Sequence, residues 1–335
     1  MKPLITFTAG VAISLVGVAT PSDAQEQASN LNVSVTFEEW QVPFEGPRAR
    51  DPWIVDSDEI WYVGQRSDYV GIFTPSSGEF KQIDLVEGAG PHTVVVSDRG
   101  AWYAGNRAAH IGHIDRDTHE ITQIPLPGDG ARDVHTFDFT SDGDLWFSVQ
   151  GGNQVGFIDT ESYEFTMYDA TRERARPYGV IVHDDQPWFV FFGTNQLATV
   201  QDGELQEIEL PRESTRPRRL AVTDDGMVYY GDYADGYLGQ YNPQNGEINE
   251  WRLPAGSDSR PYAMTHDAEG RVWLVETGVQ PNRFVAFDPQ TEQFSQPVEV
   301  PTEGGSVRHM VFDSNTNAIW FGTDNNTLGR ATIVE

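Results

Sequence analysis

Apolar residues in this chain come in short runs that return with the same neighbours. A run of apolar residues is followed by a Gly, Asn or Asp turn, then by a second run that an aromatic opens. About ten residues later an apolar-Gly-apolar triplet opens a third run. The unit recurs seven times around Trp61, Trp102, Trp146, Trp188, Tyr229, Trp273 and Trp320, which are separated by 41, 44, 42, 41, 44 and 47 residues. The second unit is the clearest. It predicts an innermost strand over 91–96, continuous in apolar residues and so buried on both faces, then strands over 101–104, 111–115 and an alternating outermost strand over 120–125. Four short strands per repeat at a period near 40 predict an all-β fold, a seven-bladed β-propeller.

The ends of the chain complete the picture. The last repeat stops after 328–334, one outer strand short, while 35–43 reads as an outer strand with no blade of its own and parallels 248–254. The expected topology closes the ring by giving the N-terminal strand to blade seven, which leaves no open seam. Before it, Lys2, the apolar stretch from Leu4 to Thr20 and the small residues around Ala24 read as a signal peptide over residues 1–24. The expected mature protein is a single propeller domain over 25–335, periplasmic or secreted, with no membrane association after cleavage.

Composition narrows the chemistry. There is no cysteine, so neither disulfides nor thiolate metal sites are available. A formal charge of -29 argues against nucleic acid and anionic lipid as partners. No Gly-rich segment leads into a helix and no Gly-x-Ser-x-Gly elbow occurs, so no nucleotide, flavin or haem is expected, nor a serine hydrolase. Positive charge is distributed unevenly. Of 20 arginines, 12 (among them Arg48, Arg50, Arg176, Arg218, Arg219, Arg260 and Arg308) lie in segments leading into a blade's first strand. With all blades oriented alike, these share one face, a suitable setting for a carboxylate or polarised carbonyl; pairing with neighbouring Asp and Glu is the plainer alternative.

Counting back ten or eleven residues from each blade's aromatic gives the start of the innermost strand: Asp51, His92, His135, Tyr178, Arg218, Tyr262 and His309. None is apolar, so this column is the expected ligand site at the tunnel mouth, with Arg176 and Arg260 beside it for substrate. These residue types suit removal of a proton next to a carboxyl or ester, followed by loss of a β-oxygen. His309 would serve as base, Tyr262 as proton donor or second base, and Arg218 would neutralise enolate charge. Asp232, Glu276 and Asp324, just after the aromatics, are candidate carboxylates at the same mouth. Asp324 beside His309 is the one placed to join an oxygen-ligand site for Mg²⁺ or Ca²⁺, which needs several such groups converging.

The phrases Arg176-Pro177-Tyr178-Gly179, Arg260-Pro261-Tyr262-Ala263, 319–323 and 326–330 resemble those of the virginiamycin B lyase, or streptogramin lyase, family over essentially the whole mature chain. The resemblance implies a seven-bladed propeller that opens a cyclic depsipeptide by Mg²⁺-dependent elimination, using two histidines and nearby carboxylates. The final histidine falls on His309 and the metal-side glutamate on Asp324. Tyr262 replaces the other histidine, and Val307 replaces a glutamate. A Tyr and His pair among arginines is also similar to the equipment of uronate-cleaving polysaccharide lyases. The expected function is carbon–oxygen lysis of an ester-containing or anionic small molecule or oligosaccharide by a monomer. A non-catalytic binder or scaffold is the alternative, and a lactone hydrolase a third reading that lacks its Glu, Asn and Asp set.

Overall fold

The computed structural model describes residues 31–46 and 48–335, so the proposed signal peptide lies outside the described residues. Seven antiparallel sheets follow one another along the chain, each laid down from its inner strand outwards. Blades one to six span 49–84, 91–125, 134–169, 177–209, 217–252 and 261–299. Blade seven takes Val307–Asp313, Ala318–Thr323 and Thr327–Val334 from the end of the chain and Ser34–Gln41 from its start. That last pairing is continuous, from Ser34 opposite Val334 to Gln41 opposite Thr327. Inner strands of successive blades pack on one another, the seventh on the first, so the ring closes as expected. Among the described residues no helix is long and apolar enough to cross a membrane.

The repeated triplet has a packing cause. In blade two the Tyr103 ring lies across Gly112 of the next strand, where an added Cβ would come within 1.9 Å of it. The same holds for Tyr62 on Gly71, Phe147 on Gly156, Tyr230 on Gly239 and Phe321 on Gly329. Each aromatic is fully buried, so glycine is kept for want of space. The blade aromatics Trp61, Trp102, Trp273 and Trp320 are buried as well and join the apolar clusters that fill the seams between blades.

Blade six holds most of the longest gap in the period, chiefly in the connection 277–282 between its second and third strands. Its outer strand is broken into Gln293–Phe294 and Val298–Glu299, both paired with Arg283–Asp288. The break contains Pro297, which has no N–H to donate to the ladder. Ser295 stitches it back, with its backbone N–H on the Ala286 carbonyl and its Oγ accepting the Ala286 N–H at 2.9 Å.

Candidate functional site

In all seven blades the pairing of the innermost strand is interrupted at the same level. The breaks fall between Arg50 and Trp53, Pro91 and Val94, Val134 and Phe137, Pro177 and Val180, Pro217 and Leu220, Pro261 and Met264, and Val307 and Met310. Such bulges release side chains from the sheet and re-aim them. Matching positions by their pairing gives a first column of Arg50, His92, His135, Tyr178, Arg218, Tyr262 and Arg308, and a second of Asp51, Thr93, Thr136, Gly179, Arg219, Ala263 and His309. The column counted from the sequence is therefore corrected at two places: Asp51 and His309 belong one step further along. In blade one a second register shift, between Ile54 and Asp56, adds a residue to the inner strand, and in blade seven the turn from Asp313 to Ala318 is longer than that from Ser97 to Gly100 in blade two.

The two columns meet across the axis. Asp51 is buried and receives Arg50 Nε at 2.8 Å and Arg219 Nη2 at 3.2 Å, the latter from the opposite side of the ring. Arg219 also reaches Thr136, and the His92 and His135 rings stack with centroids 3.5 Å apart. His135 in turn lies 3.9 Å from the Tyr178 ring. The Tyr178 and Tyr262 hydroxyls are hydrogen-bonded to each other between blades four and six. Arg218 lies 3.8 Å over the Tyr262 ring, 4.3 Å from Tyr233 and 4.7 Å from Phe192, and it donates to the Tyr178 hydroxyl at 3.3 Å. These side chains plug the tunnel at this level. Arg218, Arg308 and His309 keep partial exposure, whereas Tyr262 is only 1% exposed.

Positive charge dominates the plug and sets its protonation. Burial raises the cost of charging Tyr262, but Arg218, Arg50, Arg308 and Arg219 together outweigh it and hold its phenol well below the usual range. Burial and the neighbouring Tyr262 push Tyr178 the opposite way. The pair is thus poised to hold one proton between two oxygens. His309 is lowered to about 4, by burial and by Arg219 and Arg50 against the opposing pull of Asp51. It is neutral at neutral pH and faces Asp51, Arg50 and Arg219; its Nδ1 is buried with no hydrogen-bond partner among the described residues. Asp51 is held far below the carboxylate range, because Arg50 and Arg219 overcome its burial.

Around the plug, the expected site residues separate. Arg176 and Arg260 stand exposed at the rim, both with positive φ, 52° and 44°. Asp232 and Glu276 do not serve the mouth: Asp232 is taken by the Arg216 N–H and Arg212, and Glu276 by the Ala255 N–H, Ser259 and Arg283. Asp324 is gripped by Arg308 at 2.8 and 2.6 Å, with Arg48 at 3.4 Å. Two guanidinium groups on one carboxylate are the wrong surroundings for a divalent cation. Among the described residues no group of three or more His, Asp or Glu converges to hold one, so the residues present do not fit Mg²⁺.

One histidine outside the columns, His110, is also buried, at the start of the strand His110–Ile114. It is 3% exposed and bonded to the Tyr103 hydroxyl at 3.0 Å, above Gly105, where a Cβ would strike its ring. The site members that counting misses are Arg50, Arg219 and Arg308. Each sits directly beside a counted position, so the doublets Arg50-Asp51, Arg218-Arg219 and Arg308-His309 were the available signal.

The seven-bladed propeller matches the fold of streptogramin lyases. The chain belongs to the virginiamycin B lyase family, whose sequence profile matches residues 20–279. Among solved structures it is similar to a streptogramin B lyase, 20% identical, covering 90% of this chain and 98% of that one with a TM-score of 0.80. The selenomethionine-substituted virginiamycin B lyase from Staphylococcus aureus is equally near, at 20% identity, 90% and 100% coverage and a TM-score of 0.80. The extracellular domain of a one-component system from B. thetaiotaomicron is 18% identical over 88% of this chain and 39% of that one, with a TM-score of 0.68. No curated protein sequence matches the chain.

Proposed function

We propose that the protein is an exported carbon–oxygen lyase that binds an ester-containing or uronate-like anionic substrate at the arginine-rich mouth and cleaves it by β-elimination. The observation that carries this reading is the Tyr178–Tyr262 hydrogen bond beneath Arg218, where the surrounding arginines favour one phenolate in spite of burial. Perturbed phenols surrounded by guanidinium groups suit removal of a weakly acidic carbon-bound proton.

The roles follow from position. A substrate carboxyl or ester carbonyl attracts Arg218, the half-exposed group covering Tyr262, and draws it off the ring. The Tyr262 phenolate then takes the proton next to the carbonyl. The electrons of that C–H bond form the C=C bond, the β C–O bond breaks, and the departing oxygen takes the Tyr178 proton. Transfer from Tyr262 back to Tyr178 across their shared hydrogen bond restores the starting state. Arg218 and Arg308 stabilise the enolate-like charge on the way. His309 is a weaker base than Tyr262 at neutral pH, so the base role passes to the tyrosine. No step uses a metal ion.

The test is absorbance from the conjugated alkene formed on an esterified or free oligouronate. Tyr262→Phe should lower turnover by about 10²–10⁴, with the wild-type rate rising as pH passes through the lowered phenol value, whereas His309→Ala retains most activity. An unaffected Tyr262→Phe enzyme would sink the mechanism. The second reading, a non-catalytic binder, is favoured by the near-complete burial of Tyr262 and by the sensor-domain relative. Under it, acidic oligosaccharides raise the melting temperature and no absorbance develops.

A further inference from the structure

Between blades four and five the same face holds a cleft of about 310 Å³ lined by Arg174, Arg176, Phe192, Gly193 and Arg216. Neighbouring arginines are neutralised: Arg172 by Glu209, Arg212 by Asp232 and Glu250, and Arg308 by Asp324, while Arg174, Arg176 and Arg216 have no ion-pair partner among the described residues. Arg216 Nη1 is steadied by the backbone carbonyls of Glu213 and Thr215 at 2.8 and 2.7 Å. Three cations brought together without a counter-charge repel one another. In a chain of charge -29, supplying partners would have been easy.

The cleft is also preformed. Arg174 and Arg176 are held at φ 58° and 52°, the left-handed region that non-glycine residues seldom occupy. The Phe192 and Gly193 N–H groups clasp this segment by donating to the Arg176 and Ala175 carbonyls at 3.1 and 2.8 Å. Gly193 permits the approach, since a Cβ there would lie 1.8 Å from the Arg174 carbonyl. Phe192, half-buried, forms the apolar wall, and its other side meets the Tyr178 ring at 5.4 Å, the Tyr233 ring at 5.8 Å and Arg218. One ring, Phe192, is therefore shared by the wall of the cleft and the edge of the plug.

We infer that this cleft is a carboxylate subsite for an acidic sugar unit, with Arg174, Arg176 and Arg216 on the carboxylate and the apolar face of the sugar ring against Phe192. This rests on the anionic-substrate reading above and names the group adjacent to the one that reacts. The unpaired arginines would draw a polyuronate along the mouth and set its register over Tyr262.

Titration calorimetry of the full protein with tetragalacturonate tests it, with maltotetraose and inorganic sulfate as separate probes. The expected result is binding of the tetragalacturonate that weakens with added salt and is at least tenfold weaker in the Arg174→Ala/Arg216→Ala double variant. Circular dichroism and melting confirm that the double variant is folded, as exposed and half-exposed rim positions allow. Equal affinity in the double variant, equal binding of maltotetraose, sulfate binding as tight as the oligosaccharide, or no wild-type binding would each overturn the subsite. Failure of the elimination reading shows separately, as arginine-dependent binding without alkene formation.

Discussion

At the scale of single residues, the plug is defined by charges that cannot leave and protons that are held unusually. His92 and His135 are kept well below the ordinary imidazole value, by burial first and then by Arg50 and Arg219, and His309 is lowered to about 4. In the unfolded chain the same groups take protons near 6.5. Between those values the unfolded state binds more protons than the folded one. The stabilisation present above about pH 6.5 is therefore lost as pH falls towards 4. Melting temperature measured across that window should drop steadily, and His309→Gln should flatten the slope; a flat wild-type profile would contradict the buried, neutral histidines. The chemical character of this cluster is legible in the sequence because no apolar residue occupies the counted positions. Its register is not, because the spacing from first-column residue to blade aromatic varies from ten (His92 to Trp102) to twelve (Arg308 to Trp320). Nor does a sequence disclose that Arg219 crosses the ring to Asp51, a contact between residues 168 apart.

At the scale of the strand, the apolar-Gly-apolar triplet is a socket for the preceding strand's aromatic. Filling it should be costly wherever the ring has nowhere to go. Gly112→Ala places a methyl inside the Tyr103 ring, itself fully buried and hydrogen-bonded to His110. A loss of about 1–3 kcal/mol is expected from overpacking, read by urea denaturation. Adding Tyr103→Leu should recover part of it, and a double-mutant cycle measures the coupling. Strand order and period can be read from the chain because strands and turns make opposite demands on their residues. Continuous apolar runs such as Val94 to Val96 need burial on both faces, while Gly100, at φ 132°, supplies a backbone angle few other residues tolerate. The broken outer strand of blade six is marked only by Pro297 and a longer gap, which locate an irregularity without giving its form.

At the scale of the whole molecule, stability depends on the join between the two ends of the chain. Trp40 of the N-terminal strand stacks on Trp320 of blade seven at 5.5 Å and lies 5.1 Å from Phe73 of blade one. It therefore ties the last blade to the first. Trp40→Ala should cost about 2–3 kcal/mol, below the range for a fully buried aromatic because Trp40 is half-exposed. Protease susceptibility of the N-terminal strand should rise ahead of global unfolding. The join was legible from the missing strand at one end and the spare one at the other. The partner ring on blade one follows the same repeat, since Trp251 of blade five, which Trp40 parallels, meets Phe287 of blade six at 4.6 Å.

The pairing of Ser34–Gln41 with Thr327–Val334 also fixes when the fold can be finished. A ribosome that has released six blades has made only an open arc, whose first strand waits for a partner almost three hundred residues away. The ring can close only once Thr327–Val334 has been made, so the contact that seals the propeller is the last its strands can form.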